Sequence, residues 1–201
     1  AADAVLFSNH YSVASPCGPA RASLLTGLYL HNHRSVRNGV PLDARHQTIA
    51  QRAAAMGYEP KLFGFTDTTL DPQGRVAGDP ALSTSSSMAP GFEDGLHMTG
   101  DSLPWLEWLR SRGYDTPGSP RDIWRPAKPR DVVDDQPTVY DAEESESAFL
   151  TRAVTDFIAD KGLTPWFAHV SYFRPHHPYI APAPYNRLYD QGYTSIGCAP
   201  C

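Results

Sequence analysis

Cysteine is scarce in this chain: its 201 residues include three, Cys17, Cys198 and Cys201. An odd and small number argues against a disulfide framework. Cys198 and Cys201 have the C-x-x-C spacing of some metal and redox sites, but a single pair without a second is more often free of such a role. Cys17 is the cysteine that calls for an explanation.

The sequence also lacks any apolar run long enough to cross a bilayer, and it lacks a positive net charge, which is −5. Neither nucleic acid nor an anionic membrane is therefore expected as a partner. The first five residues contain no methionine and no basic stretch, so they do not resemble a signal peptide, and we expect a cytoplasmic location. Arginine outnumbers lysine heavily, and its planar guanidinium suits anionic oxyacid groups.

Hydrophobic periodicity and breaker residues predict alternating helices and strands. Helices are expected over residues 20–26, 48–56, 104–112 and 145–159, and strands over 5–7, 58–65 and 166–173. The last helix is predicted to bury an apolar stripe formed by Phe149, Ala153, Phe157 and Ile158. Residues 67–91 and 119–140 are rich in proline, glycine and polar residues, and are expected to be irregular. This order predicts an α/β architecture with a largely parallel sheet.

One short segment concentrates groups that could do chemistry. Cys17 lies just before a predicted helix, where free N–H groups and the helix dipole favour negative charge. Arg21 is four residues further on and returns to the same helix face. Together they could bind a tetrahedral oxyanion such as sulfate or phosphate. On spacing alone, a buried structural cysteine beside a surface arginine is the slightly favoured explanation of the segment.

The segment from Cys17 to Arg21, followed by Thr26-Gly27, resembles the C-x-P-x-R signature of the sulfatase branch of the alkaline phosphatase superfamily. Further stretches resemble its phosphonate monoester hydrolase and arylsulfatase members, in the family's order, at residues 27–33, 37–42, 57–58, 64–66, 122–124 and 173–178. The resemblance implies an alkaline-phosphatase-like α/β fold, with a mostly parallel sheet flanked by helices, that is incomplete in this chain. Residues 1–190 are expected to be part of a sulfatase-type catalytic domain, and residues 191–201 an anomalous tail of frameshift or other added origin.

The resemblance implies a specific nucleophile. In the family, the cysteine is oxidised to formylglycine, whose hydrated aldehyde carries two geminal hydroxyls. One hydroxyl, activated by a divalent metal ion such as Mn, Ca or Zn, attacks sulfur or phosphorus. The other later loses its proton and expels the ester, which regenerates the aldehyde. By this resemblance Cys17 becomes both nucleophile and metal ligand, Arg21 holds the diol, and a formylglycine-generating enzyme is the maturation partner.

Other site residues follow from the same resemblance. Asn38 would donate a hydrogen bond toward the substrate or nucleophile, although Asn-Gly is also an ordinary turn signal. His176 would face the leaving-group oxygen as an acid or hydrogen-bond donor, whereas His177 occupies a variable position. A zinc site formed by the two histidines is not favoured, because adjacent side chains rarely point the same way.

The loop after the second predicted strand departs from the family. Phosphonate hydrolases place a tyrosine and a threonine near the substrate there, and Thr66 and Asp67 are accordingly predicted to bind substrate. Phe65 stands in place of the tyrosine and lacks its hydroxyl. Asp67 stands in place of the threonine, unless a one-residue shift brings Thr68 there, and an anionic Asp67 would repel an anionic ester. The choice between sulfate and phosphonate substrates is therefore left open by the sequence.

The predicted function is hydrolysis of small anionic phosphonate, phosphate or sulfate esters by a parent enzyme that is a homo-oligomer, with arylsulfatase proper as the second choice. The remaining metal ligands are expected outside this chain, because the family's aspartate pairs have no counterpart in it. An alternative of another class is a non-catalytic fragment, and the chain alone is expected to be inactive.

Overall fold

The computed structural model describes residues 3–82, 84, 87–116, 120–124 and 136–188. The helices are α1 (Cys17–Thr26), α2 (Leu30–His33), α3 (Ile49–Ala55), α4 (Leu103–Ser111) and α5 (Glu146–Lys161), and the strands are β1 (Pro60–Gly64), β2 (Glu93–His97) and β3 (Phe167–Ser171). Short 3₁₀ segments occur at Pro80–Leu82, Pro120–Trp124, Ala142–Glu144 and Tyr185–Arg187. Over the described ranges, no helix has the length and apolarity needed to cross a membrane.

The chain divides into two compact units. The first contains the described residues of 1–97 and 163–169, and the second those of 98–162 and 170–201. A parallel three-stranded sheet has the order β2-β1-β3, and helices flank it, as the sequence predicted. The strand pair β1 and β2 slips by one residue between Leu62 and Phe63.

The core of the first unit lies between α1, α3 and the sheet. Its buried members are Leu25, Ala50, Leu62, Ala89 and Phe92, against which Met88 and Phe167 pack. The helix α1 ends where Gly27 adopts φ 70, a left-handed conformation that glycine accepts without a steric penalty. The core therefore fixes α1 through Leu25, while Cys17 at its first position is only half-buried.

The helix α3 begins with a capping box. The Thr48 hydroxyl accepts from the N–H of Gln51, whose side chain accepts from the N–H of Thr48. The same Thr48 hydroxyl donates to the carbonyl of Pro90 at 2.6 Å. Gly91 follows with φ 91, and a Cβ there would lie 2.4 Å from the backbone nitrogen of Gln51. The loop before β2 is thus clamped against the first turn of α3.

The second unit is built on α4 and α5. Trp105 is fully buried, packs edge-on against Tyr140 with ring centroids 5.1 Å apart, and donates to the carbonyl of Glu144 at 2.9 Å. The buried residues of α5 are Glu146, Leu150 and Val154, which recur at every fourth position. The stripe predicted for this helix is wrong, since Ile158 is exposed and Phe149, Ala153 and Phe157 are only half-buried.

Two further predictions about the elements are corrected. Residues 5–7 do not form a strand, and Val5, Leu6 and Phe7 are exposed. The strand β2 was missed, because its sequence, Glu93-Asp-Gly-Leu-His97, is polar and half of it is exposed at the sheet edge. The tail at residues 191–201, with Cys198 and Cys201, lies outside the described residues.

Candidate active site

Cys17 is the first residue of α1. The carbonyl of Pro16, which precedes the helix, accepts from Ala20 N at 3.1 Å. Pro19 lies in the first turn, where the missing proline N–H removes no helical hydrogen bond. The thiol of Cys17 is free and half-buried. The helix therefore presents this atom beside its positive end, which favours negative charge.

Asn38 contacts Cys17 directly. Its Nδ2 donates to Cys17 Sγ at 3.2 Å, and its Oδ1 accepts from Gly18 N at 2.8 Å. A Cβ on Gly18 would lie 3.0 Å from Asn38 Oδ1, so the glycine permits this close approach. Val40 N bonds Arg37 O at 3.1 Å across Asn38 and Gly39, so Asn38 is also a turn residue. Asn38 thus lies in a turn and also contacts the Cys17 thiol, and its predicted role toward the substrate or nucleophile stays a prediction.

Arg21 is oriented by Phe65. Its Nη1 donates to the Phe65 carbonyl at 3.3 Å, and its guanidinium carbon lies 4.3 Å from the centroid of the Phe65 ring. Burial lowers the pKa of Arg21 from its ordinary value, and the charges of Asp67 and Cys17 act in the opposite direction. Arg21 thus stays cationic close to both groups.

His169 on β3 is part of this neighbourhood, although the sequence analysis did not select it. Its pKa is lowered, first by burial and then by the positive charge of Arg21, so the neutral imidazole is favoured. Its ring lies 5.4 Å from the ring of Phe92. The signal available in the sequence was a histidine in the middle of an apolar strand.

The two predicted substrate-binding residues of the loop after β1 differ in placement. Thr66 is fully buried, its hydroxyl donates to Ser87 O at 2.8 Å, and Ala89 N donates to that hydroxyl at 3.0 Å. These bonds satisfy the Thr66 hydroxyl within the protein, and its predicted role in substrate binding stays a prediction. Asp67 is half-buried with φ 49, and its charge acts on Arg21.

An open cleft of about 830 Å³ in the first unit reaches Cys17 and Arg21. The rest of its lining is mainly apolar or aromatic and includes Tyr11, Val13, Leu24, Leu28 and Tyr29. The thiol therefore lies in a cleft that a small molecule can enter, with a cation on one wall and apolar groups on the others.

His176 belongs to the second unit and is exposed. Its Nδ1 lies 2.8 Å from the carbonyl oxygen of His177, so Nδ1 carries the hydrogen and donates. In the neutral ring Nε2 then has no hydrogen, and His176 donates from Nε2 only as an imidazolium. The rings of His176 and His177 lie 4.0 Å apart, contrary to the expectation that they point apart.

The residues present do not fit a complete metal site. Over the described ranges, no three His, Cys, Asp or Glu side chains cluster in a way that could hold an ion. A hard divalent ion needs several oxygen ligands, and Cys17 would supply one.

Comparison with known proteins defines the family. The sequence model of the sulfatase family matches residues 1–198. The chain is 39% identical over 189 residues to the multifunctional alkaline phosphatase superfamily protein PehA of Trinickia caryophylli, covering 93% of this chain and 37% of that protein. It is 25% identical over 189 residues to the choline-sulfatase of Rhizobium meliloti, covering 92% of this chain and 34% of the relative.

Comparison with solved structures supports the same family. The phosphonate monoester hydrolase of Agrobacterium radiobacter superposes with a TM-score of 0.88 at 42% identity, over 99% of this chain and 38% of that one. The phosphonate monoester hydrolase SpPMH of Silicibacter pomeroyi gives 0.84 at 44% identity, over 90% and 36%. The chain thus spans little more than a third of the length of these relatives. It belongs to the sulfatase family, within the alkaline phosphatase superfamily.

Proposed function

We propose that the protein hydrolyses esters of tetrahedral oxyacids, with phosphonate and phosphate esters preferred and aryl sulfates second. Membership of the sulfatase family supports ester hydrolysis. The identity to two phosphonate monoester hydrolases, 42% and 44%, exceeds the 25% identity to a choline-sulfatase, and this favours the phosphonate class.

The observation that carries the proposal is the arrangement around Cys17. The atom at this position lies at the positive end of α1, receives a hydrogen bond from Asn38 and lies near the Arg21 cation. These are the groups that stabilise an oxyanion nucleophile and the negative charge of a phosphoryl or sulfuryl transition state.

We further propose that Cys17 is converted to formylglycine by a formylglycine-generating enzyme. Sulfatase relatives generally use this residue together with a metal ion. One oxygen of the geminal diol would attack phosphorus or sulfur while the alcohol leaves. The second hydroxyl would then lose its proton, and the carbon–oxygen bond to the attached oxyacid would break as the aldehyde forms again. Asn38 would donate to a diol oxygen in place of Sγ. The further metal ligands would come from residues other than those described.

Asp67 and Phe65 bear on the substrate class. The Asp67 carboxylate weakens binding of an anion, but Arg21 lies close enough to offset part of that charge. Phe65 supplies a ring and a carbonyl for Arg21 rather than a hydroxyl for the substrate. In this proposal Arg21, oriented by Phe65, is the main contact to the anionic ester.

The test is turnover by the purified full-length parent protein that contains this chain, matured with a formylglycine-generating enzyme, on a phenylphosphonate monoester, a phosphate diester and an aryl sulfate. Added Mn, Ca and Zn are compared. We expect multiple turnovers that are fastest on the phosphonate ester and absent in Cys17→Ala. An equal rate in Cys17→Ala contradicts the proposal, and so does inactivity of the matured, metal-loaded protein on all three esters.

A further inference from the structure

The second unit contains a cavity of about 500 Å³ that is lined by residues of that unit alone. Much of its wall is aromatic or apolar, with Tyr140, Tyr179 and Ile180 among the lining residues. Two charged side chains interrupt this wall, Glu146 and Arg174. The hydrogen bonding of these two side chains indicates what kind of ligand the cavity can bind.

Glu146 is buried to 6% exposure at the start of α5. Its Oε1 accepts from the Ser102 hydroxyl at 2.7 Å, whereas its buried Oε2 has no hydrogen-bond partner. Burial is the main cause that raises the pKa of this carboxyl. A buried carboxyl oxygen without a partner costs free energy, so it marks a position where a polar group is missing.

Arg174 also has a buried polar atom without a hydrogen-bond partner. Its Nη1 donates to the carbonyl oxygens of His176 at 2.8 Å and Pro178 at 2.5 Å, and its guanidinium lies 5.3 Å from the centroid of the Trp124 ring. Its Nη2 is buried and has no partner. Two residues that line this cavity therefore each carry a buried polar atom without a hydrogen-bond partner, a cationic donor on Arg174 and a carboxyl oxygen on Glu146.

We propose that this cavity binds an alcohol whose hydroxyl bridges Glu146 and Arg174. A hydroxyl donates one hydrogen bond and accepts others, so one oxygen can donate to Oε2 and accept from Nη2. When Glu146 is protonated, the ligand hydroxyl can instead accept a hydrogen bond from the carboxyl group of Glu146. A neutral ligand keeps the opposite charges of the two side chains in balance, whereas an anion would meet the carboxylate.

The binding claim is tested without turnover in the Cys17→Ala protein. Benzyl alcohol and ethylbenzene have nearly the same shape and differ by one hydroxyl, so the pair isolates the bridge. By NMR titration we expect saturable binding of benzyl alcohol, with shifts at Ile180, at least about tenfold tighter than ethylbenzene. Equal affinities, or no saturable binding of benzyl alcohol, would overturn the proposal.

Two variants test whether the ligand hydroxyl bonds to Glu146. Glu146→Leu removes the carboxyl and should reduce the affinity for benzyl alcohol to that for ethylbenzene. Glu143→Leu makes the same change at an exposed position nearby and should leave both affinities unchanged. An unaltered preference in folded Glu146→Leu contradicts the bridge. If that variant does not fold, the affinities of benzyl alcohol and ethylbenzene for the Cys17→Ala protein still test the proposal.

Discussion

The side chain of Asn38 bonds the first turn of α1 at two points: Nδ2 donates to Cys17 Sγ at 3.2 Å and Oδ1 accepts from Gly18 N at 2.8 Å. Because both amide atoms are engaged, the amide cannot flip without losing two bonds. Asn38 therefore fixes the direction from which a donor approaches the atom at position 17. This relationship makes Asn38 the first target for substitution.

Asn38→Asp tests the two hydrogen bonds of Asn38 separately. It keeps an oxygen for Gly18 N but replaces the donor to position 17 with an acceptor. We expect kcat/KM to fall by about a hundredfold, the usual effect of losing one oxyanion donor, while Tm changes little. Asn38→Ala should show the same loss of activity and, in addition, a stability lower by about 1 kcal/mol. Full activity in Asn38→Asp would remove Asn38 from the site.

Asp67→Asn should raise activity. Asparagine tolerates the φ of 49 at this position, and the substitution removes a negative charge near Arg21. We expect kcat/KM for anionic esters to rise about threefold to tenfold at low salt, and the gain to shrink at high salt because the effect is electrostatic. Steady-state kinetics at two ionic strengths measure this. A fall in kcat/KM would mean that Asp67 takes part in catalysis.

Two glycines with similar backbones form a matched pair for stability. Gly91 has φ 91 and would place a Cβ 2.4 Å from Gln51 N, whereas Gly57 has φ 88 and nothing within 4 Å. Gly57→Ala should cost about 1 kcal/mol from backbone strain alone. Gly91→Ala should cost about 3 kcal/mol or more, because the loop must also move away from α3. Denaturant unfolding measures the loss of stability in each variant. Equal losses would refute the close contact between Gly91 and Gln51.

His33 predicts a pH dependence of stability. It is buried, Ser35 N donates to its Nδ1 at 3.1 Å, and its Nε2 lies 2.9 Å from Ser23 Oγ. Nδ1 is thus an acceptor and Nε2 carries the hydrogen. Burial and then the nearby His46 lower the pKa of His33, so the unfolded chain binds the proton first as the pH falls.

Stability should accordingly be constant with respect to His33 above the ordinary histidine pKa of about 6.5 and decrease as the pH falls below it. His169, whose pKa is also lowered, acts in the same direction. Replacing His33 with glutamine should make the fall between pH 6.5 and 5 shallower without abolishing it, as measured by urea unfolding. An unchanged slope in a folded His33→Gln protein would contradict the lowered pKa.

The sequence predicted the elements whose signals are local. Helix α1 ends at Gly27 and α3 begins at Thr48, and in both cases the capping residue that marks the boundary is readable in the sequence. The strand β2 was not predictable from its polar residues, since it depends on pairing with β1. The buried face of α5 was predicted wrongly because it includes Glu146, a residue type that is rarely buried without a partner.

The candidate site was predictable only to the level of its motif. The spacing of Cys17 and Arg21 was sufficient to expect them on one helix. The contacts that orient them come from Asn38 and Phe65, which lie 21 and 44 residues away from their partners in the chain. Such long-range contacts follow from the fold of the first unit, and no local pattern specifies them.

The central claim is that Cys17 becomes a formylglycine nucleophile, and the mass of the tryptic peptide that ends at Arg21 tests it most directly. Conversion of the thiol to an aldehyde lowers the mass by about 18 Da. After co-expression with a formylglycine-generating enzyme shown to modify a control sulfatase, we expect this peptide to be found predominantly about 18 Da below its thiol form. A peptide found only at the thiol mass would contradict the account.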